Sequence, residues 1–212
     1  MIVYGSSMSP FVRKTMAFAA EKGIAVTLKQ IGLGSPDPDF KKASPFGKMP
    51  GFADGDFYLS DSTAIITYLE AVKPDPNLIP LAPKARARTI WFEEFADTIF
   101  TAAAAKPFFN RIVAPRFLGR EGDLAAAEKA EKEELPPLFD YIESQIPASG
   151  FLIEDRLTLA DLALASAFVN LMHVGIESQM ATHPKTCGWV NAILERPSYA
   201  PMIAQEKAFF GG

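Results

Sequence analysis

Cysteine and histidine are scarce in this sequence. Its 212 residues include one cysteine, Cys187, and two histidines, His173 and His183. A single cysteine cannot form a disulfide within the chain, and three such side chains are too few for a typical zinc cage. We therefore expect neither a disulfide framework nor a metal site.

An excess of positive charge and long apolar runs are also lacking. The formal net charge of -4 argues against the clustered basic face that binds nucleic acid. The most apolar stretch, residues 157–172, is interrupted by Thr158, Asp161, Ser166 and Asn170, so it does not predict a membrane-spanning helix. No basic segment followed by an apolar one opens the chain, so we expect no secretory signal. These features predict a cytoplasmic protein with neither nucleic acid nor membrane as a partner.

The first third of the chain alternates between short apolar runs and helical spacing. The pattern predicts, in order, a strand at 2–4, a helix at 10–22, a strand at 24–31, an irregular turn at 40–43, strands at 51–53 and 57–59, and a helix at 63–72. Asp54-Gly55 marks a hairpin between the last two strands, because a type I′ turn needs positive φ angles. This order is typical of an α/β, thioredoxin-like domain.

A proline-rich segment follows, and beyond it the pattern is helical. We predict a first domain over residues 1–73, a linker over 74–84 and an all-α helical-bundle domain over 85–212. The predicted helices cover 86–106, 123–134, 157–172, 185–194 and 200–209. Pro107 is expected to end the first of these, and Pro136-Pro137 to kink or break the second.

One helix start in the second half is unusually explicit. Thr158 and Asp161 have the spacing of a capping box, in which the aspartate replaces the usual glutamate. Leu157 and Leu162 occupy the two positions of a hydrophobic staple around it. We assign this motif a structural role.

Ser9 lies immediately before Pro10, which is a favourable first residue for the helix at 10–22. A serine in this position is most often a simple helix cap. The second interpretation is chemical, because a helix N-terminus carries about half a positive charge. A hydroxyl there can donate to the sulfur of a bound thiol and make the thiol ionise more easily. Arg13 and Lys14 either form an exposed, solvated pair or favour an anion nearby.

Lys48, Met49 and Pro50 predict a bend that could bind an extended ligand. If the Met49-Pro50 bond is cis, the backbone N–H and C=O of Met49 would be exposed at the edge of a cleft. An extended peptide could then pair with them as an added strand. Lys48 could contact a terminal carboxylate as a point charge, or it could be an ordinary solvated lysine.

Asp61 and Ser62 open the helix that follows the hairpin. Either residue could be only a cap. In the functional interpretation, the hydroxyl and amide of Ser62 hold a carboxylate while Asp61 accepts from an ammonium group. A γ-glutamyl group carries both charges on one carbon, so this helix start suits one end of glutathione, and Lys48 with Met49 suits the other.

Four segments in order resemble the cytosolic glutathione transferase superfamily in its bacterial-type, serine-based form. They are residues 5–14, 44–50, 61–65 and 157–162. The resemblance covers nearly the whole chain and implies a thioredoxin-like glutathione-binding domain, a helical domain and a homodimer. Ser9 stands where omega-like members carry cysteine, so the resemblance favours stabilisation of a glutathione thiolate over transfer through an enzyme mixed disulfide.

The same resemblance supplies rivals and departures. Ser6 is the main rival to Ser9, because zeta-like members use the first serine of a similar run; Tyr4 is a weaker rival. Asp61 replaces the commoner glutamate and keeps its charge. Phe46 lies at the offset where some classes insert an aromatic side chain into the partner subunit.

The leading function is a glutathione S-transferase that conjugates glutathione to a small hydrophobic electrophile, with glutathione as co-substrate and no metal. A glutathione-dependent isomerase or reductive enzyme would use the same first site. A non-catalytic protein-interaction module is the competing class, although such modules tend to lose the hydroxyl and acidic groups kept here. We expect the electrophile pocket to lie between the domains, with six candidate lining residues: Met8, Phe92, Phe95, Phe100, Phe108 and Phe109.

Overall fold

The computed structural model describes residues 1–177 and 182–211. Its first part is a four-stranded mixed sheet in the order β2-β1-β3-β4. The strands are β1 (Ile2–Gly5), β2 (Thr27–Gln30), β3 (Gly51–Asp54) and β4 (Phe57–Ser60). β1 runs parallel to β2 and antiparallel to β3, and β3 pairs with β4 as a hairpin. The helices of this part are α1 (Pro10–Glu21), α2 (Pro38–Ala43) and α3 (Ser62–Val72).

The α/β arrangement predicted for the first part is confirmed, with local corrections. Residues 40–43 belong to helix α2 and are not an irregular turn. This helix forms because the Asp37 carboxylate accepts from the N–H groups of Asp39 and Phe40, which satisfies two of its free amide donors. The hairpin loop is Gly55-Asp56, one residue later than predicted, since Asp54 pairs with Phe57.

Every described element after α3 is helical. A nearly continuous run contains α4 (Pro83–Glu94), α5 (Thr101–Phe108) and α6 (Ala114–Phe117), joined by wider π-helical turns at Phe95–Phe100 and Phe109–Val113. A second run contains α7 (Leu124–Lys129), a π-helical turn at Ala130–Glu134 and α8 (Leu135–Gln145). The remaining helices are α9 (Leu159–Met172), α10 (Pro184–Leu194) and α11 (Ala200–Gly211). No helix within the described residues has both the length and the apolar character needed to cross a bilayer.

The prediction that Pro107 ends a helix is wrong. Pro107 lies inside α5, where the buried neighbours Ala103, Ala104 and Phe108 hold the helix in place. A proline inside a helix removes one amide donor and crowds the carbonyl four residues earlier, and the packing of these side chains outweighs that cost. Of the two outcomes predicted for Pro136 and Pro137, a kink or a break, the break is wrong: they fall in the first turn of α8, and the chain stays helical, although it changes from a π-helical turn to an α-helix directly before them. There the missing N–H groups cost little.

Helix α9 is the central element of the molecule. Its residues from Leu159 to Leu171 are all buried, and it packs against α1 of the sheet domain as well as α4 and α5. One hydrophobic core therefore runs from Val3 and Val12 in the first part to Phe168 in α9. As predicted, Asp161 reaches back to the start of α9, where its Oδ2 accepts from the N–H of Thr158 at 2.9 Å.

Candidate active site

The loop after β1 brings Ser9 to the N-terminus of α1. Ser9 is the N-cap residue, and its N–H donates to the Ser6 carbonyl at 2.9 Å. Its hydroxyl makes no capping hydrogen bond, and we find no other partner for it among the described residues. The side chain is partly exposed. The interpretation of Ser9 as a simple side-chain cap is therefore wrong, and its O–H remains available beside the positive end of the helix.

The two rivals to Ser9 occupy different environments. The Oγ of Ser6 accepts from the N–H of Met8 at 3.4 Å, and this bond leaves the Ser6 hydroxyl proton available. Tyr4 is 3% exposed and packs with Ile31 and Phe40 in a second, smaller core. Burial is the main cause that raises the pKa of the Tyr4 phenol. Tyr4 is thus a packing residue, and Ser6 alone stays beside Ser9 as a hydroxyl candidate.

The Met49-Pro50 peptide bond is cis, which is the condition that the sequence analysis set for exposure of the Met49 backbone N–H and C=O. The bend lies close to the end of β1, where a Cβ added at Gly5 would be 3.5 Å from the Cβ of Met49 and 2.5 Å from Cγ2 of Val12. A side chain at position 5 would therefore require Val12 to shift, whereas its distance to Met49 would be ordinary van der Waals contact. The Ser44 hydroxyl fixes the preceding turn by donating to the Lys48 carbonyl at 2.7 Å. Lys48 is exposed, Pro50 is buried and Met49 is partly exposed.

Asp61 and Ser62 meet at the start of α3. The Oδ1 of Asp61 accepts from the N–H of Ala64 at 3.0 Å, so Asp61 is a cap, as the plainer interpretation holds. Its φ angle of 79° is nevertheless unusual for a residue other than glycine. Such backbone strain tends to occur at ligand sites. The Ser62 hydroxyl has no hydrogen-bond partner among the described residues.

A cavity of about 750 Å³ adjoins these residues. It lies between the sheet domain and the helix that contains Glu94 and Asp97. The lining residues are Phe11, Met49, Asp61, Ser62, Thr63, Ala64, Thr67, Glu94, Asp97 and Thr98. The structure thus brings Met49, Asp61 and Ser62 together, as predicted. Ser6, Ser9, Lys48 and Pro50 are close in sequence to lining residues but do not line the cavity themselves.

The cavity wall is acidic. Three of its lining residues, Asp61, Glu94 and Asp97, are carboxylic acids, whereas no lysine or arginine belongs to the lining found among the described residues. Burial raises the pKa of Asp97 to about 6, against the opposing charge and hydrogen bond of Lys14. A carboxylate in this wall is suited to an ammonium group more than to a second anion.

Comparison with known proteins identifies the family. Family models described as the N-terminal and C-terminal domains of glutathione S-transferase match residues 3–77 and 100–197. A glutathione S-transferase of Hyoscyamus muticus is 32% identical over 209 residues, covering 96% of this chain and 97% of its own. The chain belongs to the glutathione S-transferase family.

Solved glutathione S-transferases share the whole fold. Glutathione transferase F7 of Populus trichocarpa superposes with a TM-score of 0.84 at 25% identity, covering 96% of this chain and 97% of its own. The maize glutathione S-transferase I, solved in complex with an atrazine glutathione conjugate, superposes with a TM-score of 0.85 at 26% identity and covers 97% of each chain. The predictions of family, enzyme class and thioredoxin-like plus helical architecture are confirmed.

The two cations that follow the start of α1 are paired with carboxylates of the helical domain. Arg13 and Lys14 are 0% and 1% exposed, so neither interpretation of them as solvated or as free to attract an anion is right. Lys14 donates to Glu93 at 2.6 Å and also pairs with Asp97, while Arg13 pairs with Glu206 at 2.8 Å. Their charges are already compensated by carboxylates.

The aromatic residues expected to line the electrophile pocket do not line this cavity. Phe92, Phe95, Phe100 and Phe108 are at most 5% exposed and form part of the core. Helical spacing placed them correctly on a buried face, and that face packs against other helices. Met8 and Phe109 are partly exposed and remain candidates.

Asp97 and Thr63 line the cavity but were not among the predicted site residues. Thr63 donates its hydroxyl to Glu93 at 2.5 Å, next to Lys14 and Asp97. The sequence signal for Asp97 is weak, since it is one of three carboxylates, with Glu93 and Glu94, in the aromatic segment 91–100. Its partner Lys14 lies 83 residues away, and no local pattern reports a pairing of that length.

Proposed function

We propose that this transferase uses Ser9 to hold the sulfur of glutathione as a thiolate and conjugates it to a small electrophile. The observation that carries the proposal is the Ser9 hydroxyl, which stands at the start of α1 without a capping bond. A donor at a helix N-terminus favours the ionised form of a nearby thiol. Ser6 is the second candidate for this role.

The rest of the tripeptide would extend along residues already described. The backbone of Met49 beside the cis Pro50 would pair with the extended peptide, and Lys48 would contact its terminal carboxylate. The Ser62 hydroxyl and amide would bind the γ-glutamyl carboxylate at the start of α3. Asp61, and with it the newly found Asp97, would accept from the γ-glutamyl ammonium group.

The reaction needs one bond made and one broken. The thiolate attacks an electrophilic carbon, and the leaving group departs with its electron pair, while the thiol proton has already passed to solvent. The atrazine conjugate held by the maize relative suggests an activated aromatic compound as a first electrophile to test. Isomerisation or reductive removal of a leaving group would start from the same thiolate, and a screen of electrophiles separates these reactions.

We also propose a cytoplasmic homodimer with a glutathione-binding domain over residues 1–73, a linker over 74–84 and a helical domain over 85–212. The large apolar side chain of Phe46 is 88% exposed, which suits a residue that is covered by a second copy of the chain. Sedimentation of the wild type and of Phe46→Ser tests the assembly. A monomeric wild type would contradict it.

The first experiment is a pH titration of thiolate absorbance for glutathione bound to the wild type, to Ser9→Ala and to Ser6→Ala. We expect the wild type to lower the pKa of the bound thiol well below that of free glutathione. Ser9→Ala should return it most of the way, and Ser6→Ala should leave it low. A reversed order would transfer the role to Ser6, and an unshifted wild type would refute the thiolate mechanism.

A further inference from the structure

Two side chains of α9 bind the backbone on either side of Ser9. The Ser166 hydroxyl donates to the Pro10 carbonyl at 2.7 Å, and the Asn170 amide donates to the Met8 carbonyl at 3.2 Å. Ser166 and Asn170 are four residues apart, so they lie on the same face of α9. We call this pair the α9 clamp.

The Arg13 side chain, from α1, holds both residues of the clamp in place by hydrogen bonds. Its guanidinium donates to the Ser166 carbonyl at 2.7 Å and to Oδ1 of Asn170 at 3.0 Å. The same group pairs with Glu206 of α11 through two hydrogen bonds of 3.2 and 2.8 Å. Arg13 is fully buried, and a buried guanidinium is favourable only when its donors are satisfied in this way.

The carboxylate that compensates Arg13 is itself held in its ionised form. Glu206 is 3% exposed, and burial alone would raise its pKa. The hydrogen bond with His173, whose Nε2 lies 2.8 Å from Oε2 of Glu206, and the charge of Arg13 outweigh burial and lower the pKa. The network that supports the clamp is therefore charged and well connected, and it belongs mainly to the helical domain.

Ser9 has few other restraints. Its hydroxyl has no cap partner, so the direction of the O–H depends on the backbone that carries it. Within its own loop the backbone is held by the bond from the Ser9 N–H to the Ser6 carbonyl and by the bond from the Arg13 N–H to the Ser9 carbonyl. The clamp adds the two carbonyls that flank Ser9, and a displacement of about 1 Å at such a group can cost about 100-fold in rate.

We propose that Ser166 and Asn170 are positioning residues for Ser9: they fix the carbonyls of Pro10 and Met8, the residues directly after and before Ser9, so that the Ser9 hydroxyl points at the glutathione sulfur. The acidity of the bound thiol then depends on α9, which belongs to the other domain. This inference rests on the proposed role of Ser9.

The test measures the pKa of the thiol of bound glutathione in four single variants: Ser166→Ala, Asn170→Leu, Ser9→Ala and Thr89→Val. Ser166→Ala removes the hydroxyl and keeps the backbone carbonyl that Arg13 uses. Thr89→Val is the matched control, because Thr89 is a fully buried residue that donates its hydroxyl to the Ala85 carbonyl at 3.0 Å, far along the chain from Ser9. Thermal unfolding of each variant reports the accompanying loss of stability.

We expect Ser166→Ala and Asn170→Leu each to raise the thiol pKa by at least half of the increase that Ser9→Ala produces. Thr89→Val should lose stability without moving that pKa. The double variant Ser9→Ala/Ser166→Ala should show no further increase over Ser9→Ala, because the clamp acts through Ser9.

The outcomes distinguish an error in the proposed role of Ser9 from an error in the proposed role of the α9 clamp. If Ser9→Ala leaves the thiol pKa unchanged, the proposed role of Ser9 is wrong. If Ser9→Ala raises it while Ser166→Ala and Asn170→Leu do not, the role of Ser9 stands and the clamp is refuted. An additive double variant, or an equal pKa shift in Thr89→Val, also overturns the clamp, since either result assigns the effect to general destabilisation.

Discussion

Helices α1 and α9 both begin after a hydroxyl residue, and they use that residue in opposite ways. At α9 the N–H and hydroxyl of Thr158 both donate to the buried Asp161 carboxylate, at 2.9 and 3.1 Å. At α1 the Ser9 hydroxyl has no such partner, and a proline follows it directly. The first hydroxyl is engaged within the fold, whereas the second remains free to bind a ligand.

The surroundings of the two helix starts also differ: the start of α9 is buried, and the start of α1 is partly exposed. The Asp161 carboxylate also accepts from the Leu152 N–H at 2.9 Å and from the Trp189 ring N–H at 3.1 Å, in the centre of the helical domain. Ser9 is partly exposed beside the cis Met49-Pro50 bend. A sequence pattern of hydroxyl residue and helix start therefore has two meanings, and the partner of the hydroxyl separates them.

The largest effect should follow removal of the carboxylate at the α9 start. Asp161→Ala leaves several buried donors without an acceptor, so we expect a loss of about 3 kcal/mol or more in the free energy of unfolding. Asp123→Ala is the matched control, because Asp123 caps α7 at an exposed site and its loss should cost about 1 kcal/mol. Urea denaturation measures both. Equal losses would mean that Asp161 is no more than an ordinary cap.

Substitution of the hydroxyl residue at each helix start should have opposite effects: at α1 it should lower activity, and at α9 it should lower stability. Ser9→Ala should lower kcat about 100-fold, as the loss of one donor to a developing anion does, while stability changes by less than about 0.5 kcal/mol. Thr158→Ala should cost about 1 kcal/mol of stability and leave kcat per folded molecule unchanged. Steady-state kinetics and urea denaturation measure these effects. A stability loss in Ser9→Ala equal to that in Thr158→Ala would remove the contrast between the two helices.

The sequence predicts those parts of the molecule that depend on near neighbours. The strand and helix order, the capping box at Asp161 and the helix start at Asp61 all follow from residues a few positions apart. The four ordered motifs identified the family for the same reason. Pro107 shows the limit of such rules, because the packing of α5 outweighs a local helix breaker.

What the sequence could not predict depends on distant partners. Arg13 pairs with Glu206 across 193 residues, and Lys14 pairs with Glu93 across 79. From the sequence alone, two adjacent cations after a helix start are interpreted as solvated, because their carboxylate partners are distant in the chain. The aromatic residues Phe95 and Phe100 show the converse, since their periodicity marks a buried face without telling whether a ligand or another helix covers it.

At a third helix start, that of α3, Asp61 both caps the helix and is proposed to bind the ligand. A substitution can separate these two roles. Asp61→Asn keeps an oxygen that can accept from the Ala64 N–H but removes the negative charge. We expect glutathione affinity to fall about 10-fold by calorimetry, because a charge-assisted hydrogen bond contributes about 1.5–3 kcal/mol, with stability changed by less than about 0.5 kcal/mol. Asp61→Ala should lose both affinity and cap. Wild-type affinity in Asp61→Asn would reduce Asp61 to a structural cap, like Thr158.

The smallest expected effect concerns pH and the carboxylate that faces the same cavity. Burial raises the pKa of Asp97 to about 6, so this group gains a proton and loses its charge as pH falls through 6. If it binds the γ-glutamyl ammonium group, affinity should be high above that pH and fall a few-fold below it. S-methylglutathione is the ligand to use, because it has no thiol to titrate.

Asp97→Asn should bind this ligand weakly at every pH, with no step in affinity near pH 6. Glu94→Gln, from the same cavity wall, should keep the step. A step that survives in Asp97→Asn would show that another group titrates, and the ammonium would then be bound by Asp61 alone.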